Sequence, residues 1–328
     1  MLENLESAIL AVKEKLPGMK LLENEPMCAH SSFRIGGPVR ALASPSDVTG
    51  LSKLCDILKE HHVAPFILGN GTNILFPDEG LEDLFIVSTE KLQKIFLLPD
   101  GAVYAEAGVS LARLAAFAQE NSLTGLEFAG GIPGTLGGGC LMNAGAYGGE
   151  LAEVVESVVY LYIPDQCLHE IPQSSCAFGY RQSLFQKTPG CIILSAVLRL
   201  QEGDPQAIAA RMHELGEKRR EKQPLDLPSA GSAFRRPEGH YAAALIDQAG
   251  LKGYRVGDAQ VSEKHAGFVV NRGSATSHDV YDLMMHVRNT VYQDTGVFLE
   301  PEIIILPPDY HLEDNGPAVP RNQVRFGL

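Results

Sequence analysis

The sequence predicts an α+β protein. Strand-like and helix-like segments alternate through residues 1–200, yet several strand-like runs follow one another with no helix between them, which argues against a simple doubly wound sheet. With 328 residues, 45% of them hydrophobic, the chain buries a large core and has the length of roughly two or three domains. A change of pattern at Gly203-Asp204-Pro205, after which the chain turns helical and then basic, marks a domain boundary.

Taken in order, Leu2, Leu5, Ile9, Val12 and Leu16 have helical spacing up to Pro17-Gly18. A second helix starts near Ser46-Asp47, presents Val48, Leu51, Leu54, Cys55 and Leu58, and ends near His61. Strands follow at 65–68, 84–87, 95–97 and 102–105. Ser110 caps a helix that presents Leu111, Leu114, Ala115 and Ala118. Residues 154–163 and 191–200 are β-branched or apolar and read as strands. Past the break, Ile208, Met212 and Leu215 are helical. A last helix runs over 277–295, with Thr276 and Asp279 as a capping box and a stripe of Val280, Leu283, Met284, Val287 and Val291. A strand at 303–305 closes the fold, and the tail from Pro307 reads as loosely docked or disordered.

Composition excludes several functions. No apolar run reaches about eighteen residues, so no membrane-spanning helix is expected. The start, Met1-Leu2-Glu3-Asn4-Leu5-Glu6, is acidic and amphipathic rather than basic and apolar, so the expectation is a cytoplasmic protein without a secretory signal. A net charge of −13 disfavours nucleic acid and anionic membrane as partners. Locally the balance reverses: residues 218–272 carry ten Lys/Arg against six Asp/Glu, either an ordinary mixed surface or a place for a small anion. The six cysteines lack a Cys-x-x-Cys spacing, so reduced thiols and no metal site are expected.

Two glycine loops carry the strongest local signal. Leu68-Gly69-Asn70-Gly71-Thr72-Asn73 follows a strand directly, and ten of the residues 125–149 are glycine, including Gly130-Gly131-Ile132-Pro133-Gly134-Thr135 and Gly137-Gly138-Gly139. Glycine admits positive φ and lets successive N–H groups converge on one point, which suits a diphosphate. Thr72, Asn73 and Thr135 add hydroxyl and amide groups. The first loop lacks the third glycine of the dinucleotide fingerprint, and no P-loop lysine is present. Tight turns between strands are the plain alternative for either loop taken alone.

These loops, in order with His30-Ser31-Ser32-Phe33-Arg34-Ile35-Gly36-Gly37-Pro38, Phe178-Gly179-Tyr180-Arg181-Gln182-Ser183, Lys222-Gln223-Pro224-Leu225, Pro228-Ser229-Ala230-Gly231-Ser232-Ala233-Phe234, residues 261–268 and Glu300-Pro301-Glu302, resemble the UDP-N-acetylenolpyruvoylglucosamine reductase family over about residues 28–306. The spacing resembles the family's shorter form, without an extra tyrosine loop. Thr72 stands where serine is frequent in the family and Ser31 where threonine is, and both keep a hydroxyl. The resemblance implies a vanillyl-alcohol-oxidase-type FAD-binding fold of two subdomains plus a C-terminal α+β substrate domain. The division would be 1–88, 89–203 and 204–306, with a tail over 307–328. It also implies non-covalent FAD, NADPH as hydride donor, a UDP-sugar carrying an enolpyruvyl ether as substrate, and a monomer or weak dimer.

Site roles follow from the resemblance, position by position. Arg181 would stabilise the charge that develops on the substrate carboxylate, because a guanidinium stays charged and grips a carboxylate with paired bonds. Ser232 would donate a proton to carbon. Glu302 would help position or protonate, with Glu300 two residues away as its competitor. Outside the resemblance, these three would read as a surface ion pair, a turn serine and a strand-edge charge. Gly69, Asn70, Gly71, Thr72, Asn73, Gly131, Ile132, Pro133, Gly134, Thr135, Gly138 and Asn143 would bind FAD. Tyr147, Arg219, Gln223 and Lys264 would bind the UDP-sugar, although Lys218-Arg219-Arg220 also reads as a solvated helix end. His265 is expected to be a packed core histidine. Three other readings stay open: another oxidoreductase on the same fold, a nucleotide-binding module without chemistry, and a nucleotide-sugar transferase that consumes no NADPH.

Overall fold

A computed structural model describes residues 2–310. Three sheets of four or five strands, drawn from successive parts of the chain, each bury one face under helices. In the first, Lys20–Pro26 pairs antiparallel with Pro38–Ser44, which lies parallel to Leu81–Ser88, itself parallel to Pro65–Leu68. Helices Leu2–Lys15 and Val48–Glu60 cover this sheet through Leu5, Ile9, Val12, Leu51, Leu54 and Leu58, as their spacing requires. The second helix begins where Asp47 accepts a hydrogen bond from Gly50 N at 2.7 Å, which satisfies one of the free amides of its first turn.

The second sheet is entirely antiparallel, in the order Cys167–Pro172, Val155–Tyr162, Cys191–Leu198, Val103–Glu106 and Ile95–Leu97. Helix Leu111–Glu120, capped by Ser110, and the short helix Leu136–Met142 pack on it. The third sheet orders Ser229–Ser232, Phe268–Asn271, Ala259–Val261 and Arg255–Val256. Helix Ser277–Thr295 covers it with the anticipated stripe, and its Thr276–Asp279 capping box is formed on both sides.

Two features differ from the expected division. Helix Pro205–Lys222 lies past the expected boundary at 203, yet Met212 packs into the core of the second sheet and lies under Gly130. Its apolar face finds its partner behind it in sequence, so by packing the third unit begins after this helix. The tail starts firmly rather than loosely: Tyr310 meets Phe66 edge-on at 6.3 Å, and its N–H reaches Pro307 O. The rest of the tail, 311–328, lies outside the described residues. Among the described residues, no helix is long and apolar enough to cross a membrane, no cluster of acids, histidines and cysteines is set to hold a metal, and all six cysteines are free thiols.

Two joints fix the third unit to the first. Asp78 accepts from Ser277 N at 2.5 Å and from Ser277 Oγ at 2.7 Å, at the first residue of the last helix. The closing strand Ile304–Ile305 pairs parallel with Ile74–Leu75, directly after the first glycine loop. Removing the carboxylate in Asp78→Ala is expected to cost about 1–2 kcal/mol, the usual loss for a charged partner at a helix start. A urea melt checks this, and an unchanged midpoint contradicts the joint.

Candidate active site

The two glycine loops face each other. A Cβ on Gly69 would lie 2.8 Å from Thr135 Oγ1, and one on Gly134 would lie 3.3 Å from Thr72 Oγ1. Thr72 Oγ1 also donates to Pro133 O at 3.3 Å. Gly71 turns with φ +58°, and a side chain there would strike His30 O at 2.1 Å, so the first loop is open only to glycine. Thr135 is buried and caps Leu136–Met142 by accepting from Gly138 N at 3.4 Å. Asn70, Gly131, Pro133 and Gly138 are exposed along the rim, and Ile132 is half-buried.

Arg219 leans into this space. Its Nη1 is buried without a partner and lies 2.7 Å from where a Gly131 Cβ would be. Burial pushes the guanidinium below its usual range, yet it stays charged. Two facing loops of bare glycine backbone, with one buried guanidinium nitrogen that lacks a partner beside them, form a setting that an anionic diphosphate completes, so the residues present fit FAD. Gln223 Oε1 holds Arg219 by accepting from its Nε at 2.8 Å, and Tyr147 is near enough to act on its charge. Tyr147 itself is exposed, with φ +54°. Of the four residues expected at the UDP-sugar, Lys264 stands apart from this group. Its ammonium donates to Arg220 O at 2.5 Å, at the carbonyl end of Pro205–Lys222, where a cation suits the helix dipole.

The three expected catalytic residues come from three separate stretches. Arg181 sits at the tip of the Gly179–Gln182 turn with φ +53°, and its Nε donates to Glu302 Oε1 at 2.6 Å. Its Nη1 reaches Gly145 O at 3.4 Å. The Glu302 side chain is 11% exposed, whereas Glu300 is 68% exposed, so burial separates the two competitors. Glu302 N donates to Ala233 O, which places Ser232 one residue from the backbone contact. Burial pushes the Glu302 carboxyl above the usual glutamate range, against the opposing pull of Arg181.

Asn73 and Asn143 tie loops to this cluster. Asn73 Nδ2 donates to Glu302 O at 3.1 Å and to Met142 Sδ at 3.4 Å. Asn143, in left-handed conformation at the end of Leu136–Met142, donates to Gly179 O at 3.2 Å and accepts from Ala152 N at 2.9 Å. Its amide thus holds the Arg181 turn at one end and the following loop at the other. His265 is half-buried, accepts from Gly267 N at 3.1 Å and meets Phe268 edge-on, as a packed histidine does. Sequence reasoning passed over Arg235, whose Nε is buried without a partner beside this cluster. The one available signal was the Arg235-Arg236 pair directly after Ser232-Ala233-Phe234.

Fold and site together define a flavoprotein: residues 39–165 match the FAD binding domain family. Residues 223–306 match the C-terminal domain of UDP-N-acetylenolpyruvoylglucosamine reductase. The reductase of that name from Caldanaerobacter subterraneus subsp. tengcongensis is 45% identical over 90% of this chain and 96% of its own. That from Limosilactobacillus reuteri is 43% identical over 89% and 97%. A crystal structure of the Thermus caldophilus enzyme superposes with a TM-score of 0.74 at 32% identity, over 88% of this chain and 99% of that one. The chain belongs to the UDP-N-acetylenolpyruvoylglucosamine reductase family, with the FAD-binding α+β fold that its sequence predicts.

Two outcomes test the site. Gly71→Ala is expected to lose more than about 1 kcal/mol of stability and to elute from gel filtration with less flavin absorbance per chain, because alanine cannot take this φ beside His30 O. Full flavin content contradicts the loop assignment. For Glu302, a raised folded pKa means stabilisation that is complete below the ordinary value of 4.5 and is lost as pH rises through the folded value. The stability of the native protein relative to Glu302→Gln is therefore expected to fall as pH rises above about 4.5, read by urea melts at several pH values. A difference that grows with pH contradicts the assignment.

Proposed function

We propose that this protein reduces UDP-N-acetyl-3-O-(1-carboxyvinyl)-glucosamine to UDP-N-acetylmuramate with electrons from NADPH, by way of bound FAD, in peptidoglycan precursor synthesis. The observation that carries this reading is the half-buried contact of Arg181 with Glu302, 121 residues apart, beside two glycine loops. FAD, when bound, would supply the hydride chemistry that links NADPH to the terminal carbon of the enolpyruvyl group. The loops around Gly69–Asn73 and Gly131–Gly138 would hold its diphosphate through their backbone amides.

The remaining work falls to the protein's own side chains. Addition at the terminal carbon leaves negative charge on the neighbouring carbon, which spreads into the carboxylate. Arg181 stabilises that charge without waiting for solvent to reorganise, since its position is already set by Glu302 and Gly145 O. Ser232 Oγ–H gives its proton to the charged carbon. A serine hydroxyl is a weak acid, and the carbanion-like centre is basic enough to take the proton. Glu302 keeps the guanidinium oriented, and its raised proton affinity suits a group that shares in the proton supply. Arg219, Gln223 and Tyr147, which stand together beside the glycine loops, would hold the diphosphate of the sugar, and Lys264 would add its charge from the end of helix Pro205–Lys222. All three catalytic positions lie on one chain, so a monomer or weak dimer suffices. A reaction that uses NADPH and a nucleotide sugar suits the cytoplasm.

The test is anaerobic. Protein reduced by NADPH is expected to be reoxidised at once by the UDP-enolpyruvyl sugar, and a reduced flavin indifferent to that compound overturns the reading. Ser232→Ala is expected to keep flavin reduction by NADPH while turnover drops about 10²- to 10⁴-fold, the usual loss of a proton donor. Unchanged turnover removes Ser232 from the mechanism.

A further inference from the structure

The charges around Glu302 leave a problem for the substrate carboxylate. Arg181 already spends its Nε on Glu302, at 2.6 Å, and its Nη1 on Gly145 O. A second carboxylate beside this pair meets the Glu302 charge as well as the Arg181 charge. Another cation is needed to hold it.

The backbone supplies one. Residues 233–235 and 300–302 form a short antiparallel ladder about the bridge of Phe234 with Pro301, in which Arg235 N donates to Glu300 O and Glu302 N donates to Ala233 O. Side chains alternate between faces along such a ladder. Phe234 is 4% exposed and packs in the core of the third unit. Arg235 therefore shares the other face with Glu302 and Glu300. Its nearest acid is Glu300 Oε2 at 4.0 Å, on a side chain 68% exposed, a contact too loose and too wet to occupy it. Its Nε is buried with no partner, although buried donors are as a rule satisfied. The Arg235 charge also acts on the Glu302 carboxyl.

We propose that Arg235 is a further substrate-binding residue of this site, a second guanidinium that grips the enolpyruvyl carboxylate alongside Arg181. This rests on the reduction of the enolpyruvyl UDP-sugar proposed above. The carboxylate supplies the acceptor that Arg235 Nε lacks. As charge spreads from carbon into that carboxylate during reduction, its interaction with both guanidinium groups strengthens, so Arg235 contributes to rate as well as affinity.

The test compares two ligands on the oxidised holoenzyme, with binding read from the shift of the flavin spectrum. One is the enolpyruvyl UDP-sugar, and the other is the same UDP-sugar without the carboxyvinyl ether. In Arg235→Gln, the Kd of the carboxylate ligand is expected to rise about 10- to 100-fold, the range for a hydrogen bond to a charged group, while that of the carboxyl-free ligand changes less than about 2-fold. Arg235→Lys, which keeps the charge but not the paired geometry, is expected to fall between Gln and the native protein. Equal losses for both ligands, or no loss for the carboxylate ligand, overturn the inference. Flavin content and melting temperature of both variants are expected to match the native protein, and loss of flavin in Arg235→Lys would assign the residue a structural role instead. If reduced native enzyme is not reoxidised by the enolpyruvyl sugar, the functional reading itself falls. If it is reoxidised and only the ligand comparison fails, Arg235 alone is wrongly placed.

Discussion

The stretch 300–306 is the part on which the rest of the site depends. Within a few residues it hydrogen-bonds to two units of the fold: Glu302 N reaches Ala233 O in the third, and Ile304 N reaches Asn73 O in the first glycine loop. Asn73 returns a second bond from its side chain to Glu302 O. Glu302 is thus fixed by main-chain bonds on either side, and it presents its carboxyl to Arg181 of the second unit. The contact of three units at one residue sets the guanidinium, the serine strand and the glycine loop relative to one another. A site built this way owes its geometry to backbone ladders rather than to flexible side chains.

Setting Arg181 against Glu302 with both half-buried is not an evident route to stability. Taking two charges out of water costs several kcal/mol per ion, and attraction between them offsets this only with good geometry. Burial raises the Glu302 carboxyl above its ordinary range against the pull of Arg181. Perturbed carboxyls in such settings gather where chemistry needs them. Arg219 and Arg235 each keep a buried nitrogen without a partner, which on the proposed reading a ligand would supply.

Local features of this fold were legible in the sequence. The stripe from Val280 to Val291, the capping residues Asp47, Ser110 and Thr276, and the apolar strands over 155–162 and 191–198 all follow from interactions within a few residues. The sequence reading passed over Lys20–Pro26, a charged edge strand with little alternation, and Pro38–Ser44, which is rich in alanine. Both acquire their identity from pairing with each other and with Leu81–Ser88. Helix Pro205–Lys222 was assigned to the wrong neighbour by a boundary read from Gly203-Asp204-Pro205, because a turn signal says where a helix begins and nothing about which core receives it. Within the site, resemblance supplied Arg181, Ser232 and Glu302. Their union, the burial that separates Glu302 from Glu300, and the place of Arg235 on the same face depend on contacts between distant stretches.

The central claim is that Arg181 and Glu302 act as one unit. A double-mutant cycle of Arg181→Lys and Glu302→Gln on the rate of flavin reoxidation by substrate tests it most directly. Residues in contact within one network are expected to couple by about 1 kcal/mol or more, so the double variant should be little slower than the slower single variant. Effects that simply multiply would contradict the account and separate the two residues.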